Sequence, residues 1–244
     1  MKTLLALLLL IPSLSWGLTF NNETHFYSDS DWNIEFIPAG QHTNKNPKYV
    51  TFHYENDDKF IRITHIPGDM TGATKSDFKN GRERSEIRTP VDNGLIRNSE
   101  YSLSLKVRFK TFVKGKIYFM QVHNNDKGSC PKQKVPIKIK LIDGMNTIYI
   151  SPRNANPYYA DAKGLIKVNK WNKVRMDFTT YKQGKINFYL NDVHIAKDIP
   201  MTVEHECARM KIKIGVYKEL SQDKHNKNEK NIIDYDDIIL KKKK

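Results

Sequence analysis

Cysteine is scarce in this sequence, which has only Cys130 and Cys207 among its 244 residues. Two cysteines exclude a fold held together mainly by disulfides, and neither has further ligands at the spacing of a zinc site. In an oxidising compartment they could form one disulfide, and two buried thiols are equally compatible with the sequence. Long apolar runs are absent beyond the first residues, so we expect no membrane span. A helical period is absent there too, which argues against a helical domain.

Acidic residues are few relative to basic ones. The chain has 41 lysines and arginines against 27 aspartates and glutamates, a formal net charge of +14 at pH 7. Such an excess favours an anionic partner, namely a polysaccharide, a membrane surface or nucleic acid, although it also serves solubility alone. No nucleic-acid-binding module is recognisable, so we expect no nucleic-acid partner and favour an anionic polysaccharide.

The N-terminus reads MKTLLALLLLIPSLSWG, in which a basic residue precedes a short apolar run and small residues. This order is typical of a secretory signal peptide. We therefore expect residues 1–17 to be a signal peptide and the protein to be secreted, either outside the cell or into the periplasm. Residues 241–244 are four lysines, which we expect to form a basic tail.

Alternation of apolar and polar residues dominates the rest of the chain. In YSLSLKVRFK, residues 101–110, the tyrosine, leucines, valine and phenylalanine alternate with serines and basic residues. Similar short segments recur between turn residues, and each predicts a strand. With no composition break and no repeat, they indicate one all-β domain over residues 18–240. We expect a two-sheet antiparallel β-sandwich of the jelly-roll kind with a concave substrate groove, acting as a monomer.

Three predicted strands carry functional side chains on the face that points away from the core. They are RSEIR (84–88), QVH (121–123) and KIKIGVY (211–217), and period two also puts Phe119 on the face of Gln121. If the strands adjoin, their polar faces form one groove, and a glycine in the third lets a ligand approach the backbone. The side chains on these faces are Arg84, Glu86, Arg88, Gln121, His123, Lys211, Lys213 and Tyr217.

This set of side chains suits β-elimination of a uronic acid in a polymer. The reaction takes the proton from C5, beside the carboxylate, and expels the oxygen on C4. Arg84 and Gln121 suit stabilisation of the charge that develops on the carboxylate. His123 and Tyr217 are the candidates for base and acid, and either can be the base. A tyrosine base needs nearby cations such as Lys213 to lower its pKa. The chemistry requires no metal or organic cofactor.

The same three segments resemble the signature motifs of jelly-roll polysaccharide lyases. They are similar in order and approximate spacing to those of the family-7 alginate lyases and of the related glucuronan-lyase and heparin-lyase-like group. The resemblance implies that Arg84 and Gln121 neutralise the substrate carboxylate and that His123 and Tyr217 are catalytic. The other candidates, which we expect to bind substrate, are Glu86, Arg88, Lys138, Lys211 and Lys213.

The third motif departs from the alginate-lyase pattern. Lys211 and Ile212 stand where that family has a Tyr-Phe pair, and Ile214 stands where it has alanine. The reaction is therefore implied more firmly than the substrate, which we expect to be a uronate polymer such as alginate or glucuronan.

Three other interpretations start from the same residues. A non-catalytic carbohydrate-binding module explains the cations, but not why a glutamine, a histidine and a tyrosine fall where a lyase needs them. A glycoside hydrolase needs paired carboxylates, and the usual Glu-x-Asp-x-Glu strand is absent. The last predicted strand offers candidate ligands for a structural calcium ion: Asp234, Asp236 and Asp237.

Overall fold

The computed structural model describes residues 18–20, 26–28, 35–38, 49–56, 58–68, 77, 80–89, 95–113, 115–124, 135–142, 144–152, 155–203, 209–219 and 230–243. Within these ranges no helix has the length and apolar character needed to cross a membrane. The strands of the described part are β1 (Leu18–Phe20), β2 (Phe26–Ser28), β3 (Glu35–Pro38), β4 (Val50–Glu55), β5 (Asp58–His65), β6 (Arg82–Arg88), β7 (Leu95–Ile96), β8 (Glu100–Phe109), β9 (Ile117–Asn124), β10 (Ile137–Ile142), β11 (Thr147–Pro152), β12 (Tyr158–Asp161), β13 (Asn172–Thr179), β14 (Gln183–Leu190), β15 (Val193–Thr202), β16 (Arg209–Glu219) and β17 (Asn231–Lys242).

These strands form two antiparallel sheets. Sheet I has the order β1-β2-β3-β6-β16-β9-β10-β11-β12, with β7 paired to β16, and sheet II has the order β15-β14-β13-β8-β17-β5-β4. Strands that are distant in the chain are neighbours in each sheet, as in a jelly roll. The prediction of a two-sheet β-sandwich is confirmed.

The core lies between the sheets and is built from the alternation seen in the sequence. In β8 the five apolar side chains that alternate with polar ones are all buried. Burying one such large apolar side chain stabilises the fold by about 1.5–3 kcal/mol, so every regular strand helps to fix which face turns inward. The opposite faces of the same strands are therefore free to carry polar groups. The core residues of β8 are Tyr101, Leu103, Leu105, Val107 and Phe109.

One strand of sheet I is not predicted by the alternating pattern of the sequence. Residues 158–161 form β12, an edge strand that pairs with β11. Its four residues are too few to show an alternating pattern, and only Ala160 among them is buried. Tertiary pairing, rather than local pattern, makes this segment a strand.

A β-bulge in β9 corrects the prediction that Phe119 shares the face of Gln121. Met120 pairs with Ile139 of β10, but the next pair joins Tyr118 to Lys140, so Phe119 is an extra residue without its own partner. A bulge of this kind reverses the alternation of faces. Phe119 consequently lies in the core, and Tyr118 takes a place on the outer face.

Strand β16 has an irregularity opposite the bulge, and a tyrosine of sheet II forms a hydrogen bond at this point. Gly215 has φ of 141° and approaches β6 so closely that a Cβ there would lie 2.3 Å from the carbonyl oxygen of Ser85. Only glycine fits this position. The buried hydroxyl of Tyr235, from sheet II, lies 3.0 Å from the carbonyl oxygens of both Gly215 and Phe119, which share its single proton. Core packing thereby fixes the backbone beneath the candidate site.

Candidate active site

The three predicted motif strands are immediate neighbours in sheet I, in the order β6-β16-β9. Residues that pair directly across antiparallel strands share a face. The registers therefore bring all eight side chains of the predicted groove onto the outer face of sheet I. The cross-strand pairs are Tyr217 with Arg84, Gly215 with Glu86, Lys213 with Arg88 and with Gln121, and Lys211 with His123.

This outer face is recessed. Although they point away from the core, Gln121, His123, Lys211 and Lys213 are each only 5–7% exposed. Polar groups withdrawn from water in this way interact more strongly with charge than exposed ones do. The location suits a binding groove rather than a solvated surface.

Glu86 is the hub of the site. One carboxylate oxygen accepts a hydrogen bond from Nε2 of Gln121 at 2.7 Å, and the other accepts one from Nη1 of Arg84 at 3.2 Å. The Nζ atom of Lys213 lies 3.8 Å from that second oxygen. Glu86, which we expected to bind substrate, is thus occupied by protein groups and positions them.

Asp77 holds the other side of Arg84. Its two carboxylate oxygens accept hydrogen bonds from Nε and Nη2 of Arg84 at 2.9 and 3.0 Å. Burial acts against the charge of Arg84, but the carboxylates of Glu86 and Asp77 outweigh it and raise the pKa. Three of the five guanidinium N–H groups are used in these bonds, which leaves two for a ligand.

His123 has a defined tautomer. Its Nδ1 atom lies 2.9 Å from the carbonyl oxygen of Asn124. Because a carbonyl can only accept, Nδ1 carries the proton and the lone pair of Nε2 is free in the neutral ring. Burial, and then the nearby Lys213 ammonium, hold the pKa of His123 well below its ordinary value of 6.5. The imidazole is therefore neutral near pH 7 and suited to accept a proton.

Burial decides the charge of Tyr217, whose role as a base the sequence made conditional on a pKa lowered by nearby cations. Burial raises the pKa of Tyr217 far above its ordinary value, and the guanidinium groups of Arg82 and Arg84 lower it by less. The Cζ atom of Arg84 lies 4.9 Å from the centre of the phenol ring. A neutral phenol beside a cation is suited to donate a proton.

Lys213 is poised to change charge in mildly alkaline solution. Burial lowers the pKa of its ammonium group to about 8, and Arg84 and Lys211 act in the same direction, while Glu86 opposes them. Its charge is retained at neutral pH because the Glu86 carboxylate is close.

The remaining predicted residues are placed as follows. Lys138 pairs with Gln121 from the adjacent strand β10, so it extends the same face. Arg88 donates to the carbonyl oxygen of Thr89 at 3.3 Å. Both cysteines, Cys130 and Cys207, lie outside the described residues, so their pairing stays a prediction.

The three aspartates considered as calcium ligands lie in ion pairs. In the described part of the chain, no group of three or more histidine, cysteine or acidic side chains is arranged to hold a metal ion. The pairs are Asp234 with Arg62 and Arg108, and Asp236 and Asp237 with Lys106.

Two site residues were missed by sequence reasoning. Asp77 gave no signal, because it precedes the RSEIR strand in a segment without periodicity and meets Arg84 only in the folded chain. Tyr118 was hidden by the bulge, since strict alternation assigns it to the core. Its ring centre lies 5.5 Å from that of Tyr217.

The sequence matches the polysaccharide lyase family over residues 23–238. This match spans most of the chain and confirms the resemblance given by the three motifs. The protein belongs to the polysaccharide lyase family and is an enzyme of that class. A search of curated proteins finds no match.

Solved structures of lyases share this fold. The endo-β-1,4-glucuronan lyase of the fungus Trichoderma reesei is 14% identical, with a TM-score of 0.55 over 84% of this chain and 93% of that one. The alginate lyase of Corynebacterium sp. is 14% identical, with a TM-score of 0.55 over 93% of this chain and 92% of that one. The family-7 alginate lyase AlyA1 of Zobellia galactanivorans is 11% identical, with a TM-score of 0.54 over 93% and 95%. At these identities the likeness concerns the fold.

Proposed function

We propose that this lyase cleaves a polymer of uronic acids, such as alginate or glucuronan, by β-elimination. The observation that carries the proposal is the convergence of Arg84, Gln121, His123 and Tyr217 on one recessed face, with the first two held by the carboxylate of Glu86. The solved lyases with this fold, which include an alginate lyase and a glucuronan lyase, support the choice of substrate class.

Stabilisation of the substrate carboxylate is assigned to Arg84, Gln121 and Lys213. Removal of the C5 proton puts a second negative charge on the carboxylate, and groups already fixed in place stabilise it without reorganising. Glu86 and Asp77 fix Arg84, and Glu86 also orients the Gln121 amide. Mutual repulsion among the cations is relieved by these two carboxylates.

Proton transfer is assigned to His123 and Tyr217. The Nε2 lone pair of His123 takes the C5 proton, and the electrons of that bond form the C4–C5 double bond. The C4–O4 bond breaks, and O4 receives the phenolic proton of Tyr217. Solvent then takes the proton from His123 and returns one to Tyr217. The direction is supported by the lowered pKa of His123 and the raised pKa of Tyr217, both caused mainly by burial.

We also propose that the enzyme is exported from the cytoplasm and acts as a monomer without a cofactor. Residues 1–17, which lie outside the described residues, support export from the cytoplasm. One chain supplies every group named in the mechanism, which supports action as a monomer without a cofactor.

The test is incubation of the purified protein with alginate, polyglucuronate, heparin and hyaluronan. We expect ultraviolet absorbance from the new C4–C5 double bond with at least one polyuronate. New reducing ends without that absorbance would identify hydrolysis instead. Retention on the polymers with neither signal would leave a binding protein, and either result would contradict the proposal.

The pH dependence of kcat/KM gives a second prediction. We expect activity to fall as the pH rises through about 8, because Lys213 then loses its charge. On the acid side, kcat/KM should stay high at pH values below 6.5, because burial and the charge of Lys213 keep the His123 imidazole neutral there. Values of kcat/KM report the free enzyme, whose groups these are.

Lys213→Arg is the informative variant for this profile. An arginine stays charged throughout the range, so the alkaline limb should move to higher pH. Lys173→Arg, on the outer face of sheet II, is the matched control and should leave the profile unchanged. An alkaline limb that stays near pH 8 in the Lys213 variant would show that loss of charge on Lys213 does not cause the fall in activity.

A further inference from the structure

Two rows of directly paired side chains cross the outer face of sheet I and extend from the catalytic groups toward its edge. Each row takes one residue from each of several consecutive strands, so the registers alone define it. The polar row consists of Arg88, Lys213, Gln121, Lys138 and Ser151. The aromatic row consists of Tyr217, Tyr118, Lys140, Tyr149 and Tyr159.

Contacts along the aromatic row are continuous. The ring centres of Tyr217 and Tyr118 are 5.5 Å apart. The Nζ atom of Lys140 lies 5.1 Å from the ring centre of Tyr118 and 4.1 Å from that of Tyr149. Tyr149 meets Tyr159 in an edge-on contact with ring centres 4.9 Å apart. These cation–π and aromatic contacts fix each ring in place without a ligand.

Exposure rises along this row toward the edge of the sheet. Tyr217 and Tyr118 are buried, Tyr149 is half-buried, and Tyr159 is 60% exposed. Most of the Tyr159 ring is therefore accessible to a ligand. A pre-positioned aromatic face is suited to stack on the apolar face of a sugar ring, because little side-chain entropy remains to be lost on binding.

Positive charge in the polar row decreases toward the edge of the sheet. Arg88, Lys213 and Lys138 bring cations to β6, β16 and β10, whereas β11 contributes the uncharged Ser151. Lys138 is half-buried and pairs with Gln121, one strand away from the reacting groups. The lysine of the aromatic row, Lys140, is enclosed by two rings. The surface therefore offers a ligand cations as far as β10, and aromatic rings at β11 and β12.

The spacing of the strands fits a sugar chain that crosses them. Neighbouring strands lie about 4.8 Å apart, which is close to the length that one pyranose adds to an extended 1,4-linked polymer. A chain laid across the strands between the two rows would thus place one sugar over each strand. The carboxylate of the sugar over β10 would face the polar row, and the ring faces of the sugars over β11 and β12 would meet the aromatic row.

We propose that β10, β11 and β12 form a binding extension for three successive sugars on one side of the bond that is cleaved. Lys138 binds the carboxylate of the sugar next to the reacting one, and Tyr149 and Tyr159 stack on the two sugars farther out. The proposal rests on the function proposed above and deepens it. It makes the enzyme selective for long chains, and it lets the two outer positions accept a sugar without a carboxylate.

Tyr159→Ala tests the extension. The measurement is kcat/KM on uronate oligosaccharides of defined length, expressed as the ratio of the octasaccharide to the trisaccharide. We expect the ratio to fall about tenfold in Tyr159→Ala, equivalent to about 1.4 kcal/mol. Tyr181→Ala removes an exposed tyrosine from the turn between β13 and β14 in sheet II. It should keep the ratio of the unmodified enzyme.

Binding without turnover separates this proposal from the one on which it rests. The inactive variant Tyr217→Phe, with and without Tyr159→Ala, is run on native gels that contain alginate or polyglucuronate. Weaker retardation of the double variant supports the extension even if no polymer yields unsaturated ends. An unchanged ratio, equal retardation of the two variants, or no retardation of either would overturn it.

Discussion

Replacing Tyr217 with phenylalanine should lower kcat on a polyuronate by about 10²–10⁴-fold, the contribution typical of one general acid or base. The substitution removes only the hydroxyl that protonates O4. Burial keeps this hydroxyl protonated by raising its pKa, so the wild-type enzyme holds the proton ready throughout neutral pH. The ring contacts of Tyr217 with Tyr118 and with Arg84 do not require the hydroxyl and should persist.

The measurement is the rate of increase in ultraviolet absorbance, with far-UV circular dichroism to establish that the variant is folded. Tyr181→Phe removes an exposed phenol hydroxyl in the turn between β13 and β14 and is the matched control. His123→Ala should cause a loss as large as that of Tyr217→Phe, because it removes the acceptor of the C5 proton. A Tyr217→Phe enzyme with near-normal kcat would assign the acid to another group.

Replacing Glu86 with glutamine should lower kcat/KM by about a hundredfold or more, since the change disorders several stabilising groups at once. The present carboxylate accepts from both Gln121 and Arg84 and lies beside the ammonium of Lys213. A glutamine can keep an acceptor toward only one side, and its NH₂ group then faces donors on the other. A buried donor without an acceptor costs about 1–3 kcal/mol and displaces its neighbours.

A pH profile distinguishes this effect from a general loss of structure. The Glu86 carboxylate opposes the burial that lowers the pKa of Lys213. Without its charge that pKa falls further, so the alkaline limb of kcat/KM should move to lower pH. Asp192→Asn, which alters an exposed carboxylate in the turn between β14 and β15, is the control and should change neither the activity nor the alkaline limb. A Glu86→Gln variant with an unshifted limb would contradict the role of Glu86 as the hub.

The fold and the catalytic set could be predicted because both follow from regular alternation. Once strands β6, β9 and β16 were recognised, the period of two was enough to place Gln121 beside His123 and Arg84 beside Glu86. The order and spacing of the three motifs supplied the family, which the match over residues 23–238 confirms. Which strands would be neighbours followed from that resemblance and not from local pattern.

The parts that could not be predicted depend on departures from regularity. The bulge at Phe119 reverses the faces of β9, and its cause, the close approach of Gly215 to β6 together with the Tyr235 hydroxyl, is spread over distant segments. Asp77 reaches Arg84 from outside any periodic strand. The sequence also left open whether His123 or Tyr217 is the base, because cations near a phenol are visible in sequence whereas its burial is not.

The most direct test of the central claim is a crystal structure of the Tyr217→Phe variant with a uronate oligosaccharide bound. We predict that one sugar carboxylate contacts Gln121 and Arg84, and that C5 of that sugar lies against Nε2 of His123. The oligosaccharide should cross strands β9 to β12 on the outer face of sheet I. An oligosaccharide seated instead in the cleft on the outer face of sheet II, between Lys106 and Arg175, or one whose C5 lies away from His123, would contradict the account.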